Sequence, residues 1–406
     1  MRVSAGREER GMNNFYYDIP TRIYFGKGQI THLEELKESG NKVLLVYGGG
    51  SIKRNGIYQQ AMEILHGAEL TVYELEGVEP NPRIQLVRKG IEICVANDID
   101  MVLAIGGGSA IDTAKLVAAG VPYYPGDAWD LMVDPDKICS ALPIYCVLTL
   151  AATGSEMDNS TVISDLTINE KRDIVSDHLK PTMSICDPTY TYTVSAKQTA
   201  AGAVDIMSHV LENYFTNVPG TNIQAHICEA ILRTVIESAP LALAEPCNYD
   251  ARANLMWSSS LALNNLTAYG AEVTWCMHPI EYGPSAFYDI THGIGLAILT
   301  PVWMRYVLSE KTAARFAEYG HRVWDIPYER FENKESAGRQ WQVAEAAIEK
   351  TADFFRQLGM PSCLSEVGIT SDEHFHEMAL AAAPLCQGCF VELTVEDIEQ
   401  IYRLAL

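Results

Sequence analysis

Asp205 and His209 stand four residues apart, and His278 and His292 follow with a spacing of fourteen. On a helix, positions i and i+4 share a face, so Asp205 and His209 can direct a carboxylate and an imidazole at one point. A single straight helix carrying both His278 and His292 would hold them roughly 21 Å apart, too far to share an ion. Pro279, Gly283, Pro284 and Asp289 lie between them, and the segment is expected to fold back. Three neutral imidazoles and one carboxylate suit a divalent ion such as Fe²⁺ or Zn²⁺, with one position left open. A histidine on an apolar helix is more often a hydrogen-bonded core residue than a ligand, so this spacing gains weight only from the rest of the chain.

The elements that would position these residues fall into two kinds. Before about residue 190, strands and helices alternate. Lys42–Tyr47, Met101–Ile105 and Ile144–Leu148 are unbroken apolar runs, as expected of strands buried on both faces. Leu70–Leu75 reads as a further strand, and Tyr58–His66 and Arg83–Ala96 as helices between them. Asn14–Gly28 alternates aromatic and polar residues and reads as a strand or hairpin, with a short helix from Ile30 to Gly40. This alternation predicts an α/β domain with a doubly wound, mostly parallel, Rossmann-like sheet. From Ser195, a plausible N-cap, the pattern is long, apolar and helical: Ala196–Phe215, Asn222–Ala244, Ala251–Leu266, His292–Leu308, Gln340–Leu358 and Val395–Leu404. The expected division is a disordered extension at 1–11, an α/β dinucleotide-binding domain at 12–192, and an all-α metal-binding domain at 193–406.

Two strands run directly into glycines. Gly48, Gly49, Gly50 and Ser51 follow the first, and Gly106, Gly107, Gly108 and Ser109 follow the third; a helix starting near Ala110 carries Asp112 and Lys115. Backbone N–H groups at such a strand-to-helix turn, with the positive end of the helix dipole, can hold a pyrophosphate. Neither loop is the G-x-G-x-x-G or the G-x-x-x-x-G-K-[ST] pattern. A tight turn with no ligand is the plain alternative for either one. With Gly154 after the next strand, three glycine-bearing strand ends favour a nucleotide along the carboxyl edge of the sheet.

Taken together, Gly106-Gly-Gly-Ser-Ala-Ile-Asp-Thr-Ala-Lys115, Thr149 to Glu156, Asp205-x-x-x-His209 and His278…His292-Gly293 resemble the iron-dependent (group III) alcohol dehydrogenases. The likeness covers nearly the whole chain from about Asn14. It is closest to the NADPH-dependent butanol dehydrogenase and aldehyde reductase branch. The resemblance implies a dehydroquinate synthase-like fold and a metal held by Asp205, His209, His278 and His292. It implies a pyrophosphate loop at Gly106–Ser109 with Asp112 at the helix start. Thr149, Thr153 and Ser155 would line the cofactor, and Lys171 would contact it. Asn81, in the turn Pro80-Asn-Pro82, is counted with the cofactor residues. Many members of the family carry a second histidine four positions after the third ligand; here that position is Tyr282. Tyrosine can relay a proton, but its ordinary pKa near 10 makes it a poorer shuttle at neutral pH than histidine. Trp275, Tyr282, Phe287 and Tyr288 either wall the substrate or belong to the core.

In this family an aspartate in the loop after the first strand of the domain goes with NAD. The loop here, Tyr47 to Arg54, has no carboxylate, a hydroxyl at Ser51 and two cations at Lys53 and Arg54, which points to NADP(H). The implied reaction interconverts an aldehyde and a primary alcohol. The rivals are a glycerol dehydrogenase or dehydroquinate synthase type of the same fold, and a non-catalytic nucleotide-binding protein. A phosphate-bearing substrate would need cations beside the ligands, and windows 200–215 and 270–295 contain no Lys or Arg.

Composition bounds the rest. The 406 residues are 48% hydrophobic, ample for two cores, and 52 acidic against 30 basic residues give a net charge of −22. That charge disfavours nucleic acid and anionic membrane as partners. Most of the ten cysteines sit in apolar runs, as in a reducing compartment. Cys386-Gln-Gly-Cys389 lacks a second pair for zinc and is read as structural. No secretory signal opens the chain and no apolar run is long enough to span a bilayer. The expectation is a soluble cytoplasmic protein, and a homodimer by family resemblance.

Overall fold

The computed structural model describes residues 11–271, 274–328 and 336–406. The extension expected to be disordered, residues 1–11, lies outside the described residues except for Gly11.

Six strands form one parallel sheet: β1 (Arg22–Phe25), β2 (Lys42–Gly48), β3 (Thr71–Val78), β4 (Met101–Gly106), β5 (Ile144–Leu148) and β8 (Met183–Cys186), in the order β1-β8-β5-β4-β2-β3. Between β5 and β8 the chain makes an antiparallel pair, β6 (Ser160–Asp165) and β7 (Glu170–Val175). The apolar runs are buried on both faces, as their composition requires. Leu44, Val46, Val102, Ala104, Ile144 and Cys146 face one core, and Val43, Leu45, Met101, Leu103, Tyr145 and Val147 face the other.

Helices α1 (Ser51–Arg54) and α2 (Ile57–Gly67) follow β2. Then come α3 (Ile84–Asn97), α4 (Gly108–Tyr123) and α5 (Ala128–Val133). Helix α2 packs on one face of the sheet and α3 and α4 on the other. Strands β2 and β4 are neighbours with their crossovers on opposite faces, so the crevice at their carboxyl ends is the topological switch point where ligands of such sheets bind.

The second half is helical: α6 (Ala196–Tyr214), α7 (Asn222–Ala244), α8 (Tyr249–Leu263), α9 (Met277–Tyr288), α10 (His292–Val307), α11 (Ala313–Trp324), α12 (Ser336–Gln357), α13 (Phe375–Ala382) and α14 (Val395–Ala405). One large core joins them. This is the Rossmann-like sheet domain followed by an all-helical domain that the pattern implied.

Of the strand or hairpin expected in Asn14–Gly28, the strand is present at Arg22–Phe25, paired in parallel with β8 at the sheet edge. Two elements were not foreseen. The β6–β7 pair escaped the sequence reading because its residues are largely polar and face a cleft. Helix α9 also escaped it, because Gly283 and Pro284 look like breakers. Proline at 284 frees the carbonyl of Ile280, and the Tyr402 hydroxyl donates to that oxygen. The helix therefore runs on to Tyr288, and the fold-back falls at Asp289, which takes a left-handed φ of 52°.

Candidate active site

A cleft of ≈ 1240 Å³ runs between the two halves. One end is lined by Gly48, Gly49 and Ser51, the middle by Gly106–Ser109, Thr149, Thr153 and Ser155, and the other end by Asp205, His209, His278 and His292.

Helix α6 presents Asp205, His209 and Glu212, at i, i+4 and i+7, along one buried face. Its start is fixed by Ser195, whose hydroxyl accepts the Gln198 N–H at 3.2 Å. Helix α9 contributes His278, and α10 begins with His292. The turn between them is pinned from the other domain: the Asn81 amide donates to Asp289 and to the Ile290 carbonyl at 3.1 Å each, and Arg83 donates to Asp289 at 2.8 Å. A Cβ at Gly293 would stand 2.3 Å from the Ala201 carbonyl oxygen. Glycine there lets α10 come close enough to α6 for His292 to reach Asp205.

Around Asp205 Oδ1, the Nε2 atoms of His292, His278 and His209 lie at 3.6, 3.9 and 3.9 Å. These separations are too long for hydrogen bonds. They are close to the ~3.4 Å edge of a tetrahedron of ligands at about 2.1 Å from a central ion. Asp205 Oδ1 and His278 Nε2 are buried without a hydrogen-bond partner, a costly state unless something sits between them. Asp205, His278 and His292 meet as a compact metal-binding triad with ligand atoms within 4.8 Å of one another. His209 stacks on His278, ring centroids 4.6 Å apart, and stands slightly outside that triad. The donor set fits a divalent ion.

Electrostatics support the grouping. Burial opposes the charge of Asp205, but the surrounding imidazoles hold it well below the ordinary carboxylate range. Burial pushes His209 down to about 3 and also lowers His292. His278, despite burial, is raised to about 9 by Asp205 and Glu212 on either side.

Behind the histidines stand two carboxylates that the sequence reading did not assign. Glu212 Oε1 accepts from His278 Nδ1 at 3.1 Å and from the His278 N–H at 2.9 Å, while its Oε2 accepts the Cys276 N–H at 3.0 Å. Glu281 accepts from His292 Nδ1 and from the Ser285 hydroxyl. Both arrangements put the ring proton on Nδ1 and leave Nε2 free for an ion, the usual outer-shell device. Helical spacing was the available signal: Glu212 lies seven residues after Asp205, and Glu281 three after His278.

Lys171 enters on β7. Its ammonium donates to Asn81 Oδ1 at 3.2 Å and to Glu281 Oε2 at 3.4 Å, and lies 3.3 Å from His292 Nδ1. The ligand windows have no cation of their own, yet the tertiary structure brings one to them. Asp173, two residues on, also lines the cleft, as does Tyr282. Trp275 leans on His209 and His278, at 5.5 and 4.8 Å between ring centroids, and is held by its indole N–H to Asn213 at 3.0 Å. Trp275 and Tyr282 line the cleft. Phe287 and Tyr288 do not wall it: they pack against His374, because the helical turn carries them to the other side of α9.

The glycine loops sit at the switch point. Gly107 caps α4, and Gly108 and Ser109 open it. A Cβ at Gly108 would meet Thr153 Oγ1 at 2.5 Å, so this glycine lets the turn after β4 pack closely on the turn after β5. Asp112 lines the cleft but is already bonded by the Ser155 hydroxyl at 2.6 Å and the Val162 N–H at 3.2 Å, and burial raises it to about 7. Gly154 is absent from the lining; a Cβ there would lie 2.5 Å from the Ser259 carbonyl oxygen. At the far loop, Lys53 pairs with Glu76 at 3.2 Å and lies over the rings of Tyr47 and Tyr58. Arg54 Nη1 lies 3.8 Å from where a Cβ at Gly50 would stand, and none of Lys53, Arg54 and Gly50 is among the residues lining the cleft.

Comparison with known proteins agrees with this geometry. Residues 20–188 match the family model described as iron-containing alcohol dehydrogenase, and residues 199–406 match the C-terminal model of the same family. The chain is 51% identical over 395 residues to NADH-dependent butanol dehydrogenase A of Clostridium acetobutylicum, covering 97% of this chain and 99% of that one. It is 39% identical to the NADPH-dependent aldehyde reductase of Escherichia coli, over 88% of this chain and 90% of that one. The crystal structure of NADH-dependent butanol dehydrogenase A from Thermotoga maritima superposes with a TM-score of 0.90 at 36% identity, covering 98% of this chain and all of that one. No helix among the described residues is long and apolar enough to cross a membrane. The chain belongs to the iron-containing alcohol dehydrogenase family, and is a metal-dependent oxidoreductase of alcohols and aldehydes that uses a nicotinamide cofactor.

Proposed function

We propose that the protein interconverts short aldehydes and primary alcohols, with Asp205, His209, His278 and His292 holding one Fe²⁺ (Zn²⁺ as the alternative). The observation that carries this reading is one continuous cleft with four ligand-type side chains at one end and two glycine loops along the rest of it. An ion bound there supplies Lewis-acid polarisation of the carbonyl oxygen, and the nicotinamide supplies the hydride. Asp205 contributes one negative charge, so the site keeps a net positive charge toward a developing alkoxide. Glu212 and Glu281 fix the ring tautomers of His278 and His292. Trp275 closes one wall against water, and the Tyr282 hydroxyl stands within the site to move a proton to or from the substrate oxygen. Gly106–Ser109 offer N–H groups to the pyrophosphate, and Thr149, Thr153 and Ser155 flank its path. Lys171 and Asn81 brace the nicotinamide end. Family resemblance favours a homodimer.

For the cofactor we favour NADP(H). The loop after β2, of which Gly48, Gly49 and Ser51 line the cleft, carries no carboxylate, Ser51 offers a hydroxyl, and Arg54 supplies a cation next to the loop. The second reading, NADH, is favoured by the names of the Clostridium and Thermotoga relatives, and by Lys53 being engaged with Glu76. The test is oxidation of NADPH and of NADH at 340 nm with butanal, with and without chelator. NADPH preferred by at least about tenfold, roughly 1.4 kcal/mol, supports the first reading, and equal use or preference for NADH overturns it. A carboxylate introduced as Ser51→Asp should erase the preference. Gly50 is unsuitable for this purpose, since its φ of 88° would strain any side chain.

A further inference from the structure

The chain before β1 has no part in the chemistry above, yet Asn13, Asn14, Phe15 and Tyr16 line the same cleft. Residues 11–18 are exposed and form neither helix nor strand. This strap is nonetheless pinned at one end. The Asn13 N–H donates to the Gly270 carbonyl at 3.0 Å. The Gln224 amide donates to the Tyr269 carbonyl at 2.8 Å and reaches Met12 Sδ at 3.6 Å. Phe15 and Tyr17 both pack on the Tyr269 ring, with centroids 6.0 and 5.8 Å away. A Cβ at Gly270 would stand 2.7 Å from Met12 Cγ, so glycine there leaves room for the strap.

The anchorage falls on the metal side of the site. Tyr269 and Gly270 lie in the connection from α8 to α9, a few residues before Trp275, which leans on His209 and His278. From Gly270 the strap passes to β1, at one edge of the sheet. The glycine loops follow β2 and β4, toward the other edge. The strap and the adenosine end of a dinucleotide would thus stand on opposite sides of the cleft.

The strap makes a thin, uncharged wall. Phe15 is 53% and Tyr16 76% exposed although both line the cleft, so a single layer of side chains separates the cleft from water. Two asparagines and the rings of Phe15, Tyr16 and Tyr269 form this stretch of lining. They offer an apolar surface to a neutral aldehyde and no cation to a phosphate. With no second layer behind it, shortening the Phe15 side chain opens the wall to solvent instead of leaving a closed cavity.

We propose that residues 13–16 form the outer wall of the substrate's entrance, and that Phe15, seated on Tyr269, sets the size of the group an aldehyde can carry beyond its reacting carbon. This rests on the aldehyde chemistry proposed above for the same cleft.

The test compares kcat/KM for butanal and for the bulkier 3-phenylpropanal in the metal-loaded parent and in Phe15→Ala, Phe15→Leu and Phe15→Trp. Phe15→Ala should raise the ratio of 3-phenylpropanal to butanal by about tenfold, the lower end of what an apolar pocket discriminates. Phe15→Trp should lower that ratio, and KM for the cofactor should stay as in the parent. A ratio within about twofold of the parent in a folded Phe15→Ala overturns the proposal, as does a change in cofactor KM as large as that for the aldehyde. Should Phe15→Ala fail to fold, Phe15→Leu and Phe15→Trp decide, since the proposal requires them to move the ratio in opposite directions. Failure of the parent to reduce butanal with metal and cofactor present would instead overturn the underlying reading of the site.

Discussion

Glu212→Gln should loosen the metal while leaving every ligand in place. Glu212 takes three N–H donors, two on Oε1 from His278 and one on Oε2 from Cys276. A glutamine keeps one acceptor oxygen. With that oxygen toward His278, its amide N–H₂ faces the Cys276 N–H and leaves a buried donor unpaired, at a cost of about 1–3 kcal/mol. The neutral amide also withdraws the charge that makes His278 a stronger base at Nε2. Loss of such an outer-shell partner costs on the order of 10–100-fold in metal affinity, or about 1.4–2.7 kcal/mol. The assay is equilibrium competition with a chelator of known affinity, counting bound metal, with urea unfolding as the control for the fold. Glu281→Gln should act in the same way through His292, whereas an exposed substitution such as Glu63→Gln should change nothing. If Glu212→Gln bound metal within about twofold of the parent, the orienting role would be wrong.

Three further outcomes are expected. His278→Ala, or chelation of the parent, should lower kcat by at least about a thousandfold, the scale of Lewis-acid stabilisation; a metal-free preparation with full aldehyde reduction would refute this. Gly108→Ala should weaken cofactor binding and cost about 1–3 kcal/mol of stability through its clash with Thr153; Thr153→Ala should recover part of the stability, and no recovery would count against the clash. Burial raises Glu156 to about 7, against about 4.3 in an unfolded chain. Between those values the folded protein holds a proton that the unfolded chain has lost, so this group lowers stability as pH rises through that window and adds no further slope above it. Glu156→Gln should therefore gain on the parent by about 1–3 kcal/mol between pH 5 and pH 8 in urea titrations, and parallel pH profiles would refute that.

The Asp205–His209 pair was legible because its signal is local, whereas His278 and His292 took their roles from the family resemblance. Asp205 and His209 share a helical face by arithmetic, and α6 itself follows from an apolar run with a serine cap. The glycine loops were legible because each follows a strand with an unbroken apolar run, Val43–Tyr47 and Met101–Ile105. Less was legible where two sequence rules compete. Pro284 reads as a breaker, and α9 survives it only because Tyr402, far along the chain, donates to the carbonyl that proline leaves free. Lys53 reads as a phosphate contact, but Glu76 on the neighbouring strand claims it. Phe287 and Tyr288 lie close to the ligands in sequence, yet the turn of the helix carries them away from the cleft.

By itself, then, the sequence determined which residue types could hold an ion and which backbone turns could hold a pyrophosphate, since both depend on chemistry and short-range periodicity. The tertiary structure alone decided what surrounds them. It brought Lys171 and Asp173 from a polar hairpin to the metal cluster and set Glu212 and Glu281 behind His278 and His292. It also pinned the turn before His292 with Asn81 and Arg83 of the other domain. These are contacts between segments up to about two hundred residues apart, closed only when the two cores dock. Helical spacing can put Glu212 and Glu281 on the ligand faces of their helices, but it does not choose their partners, because the energy that selects these contacts is the burial and pairing of groups that meet only in the folded chain.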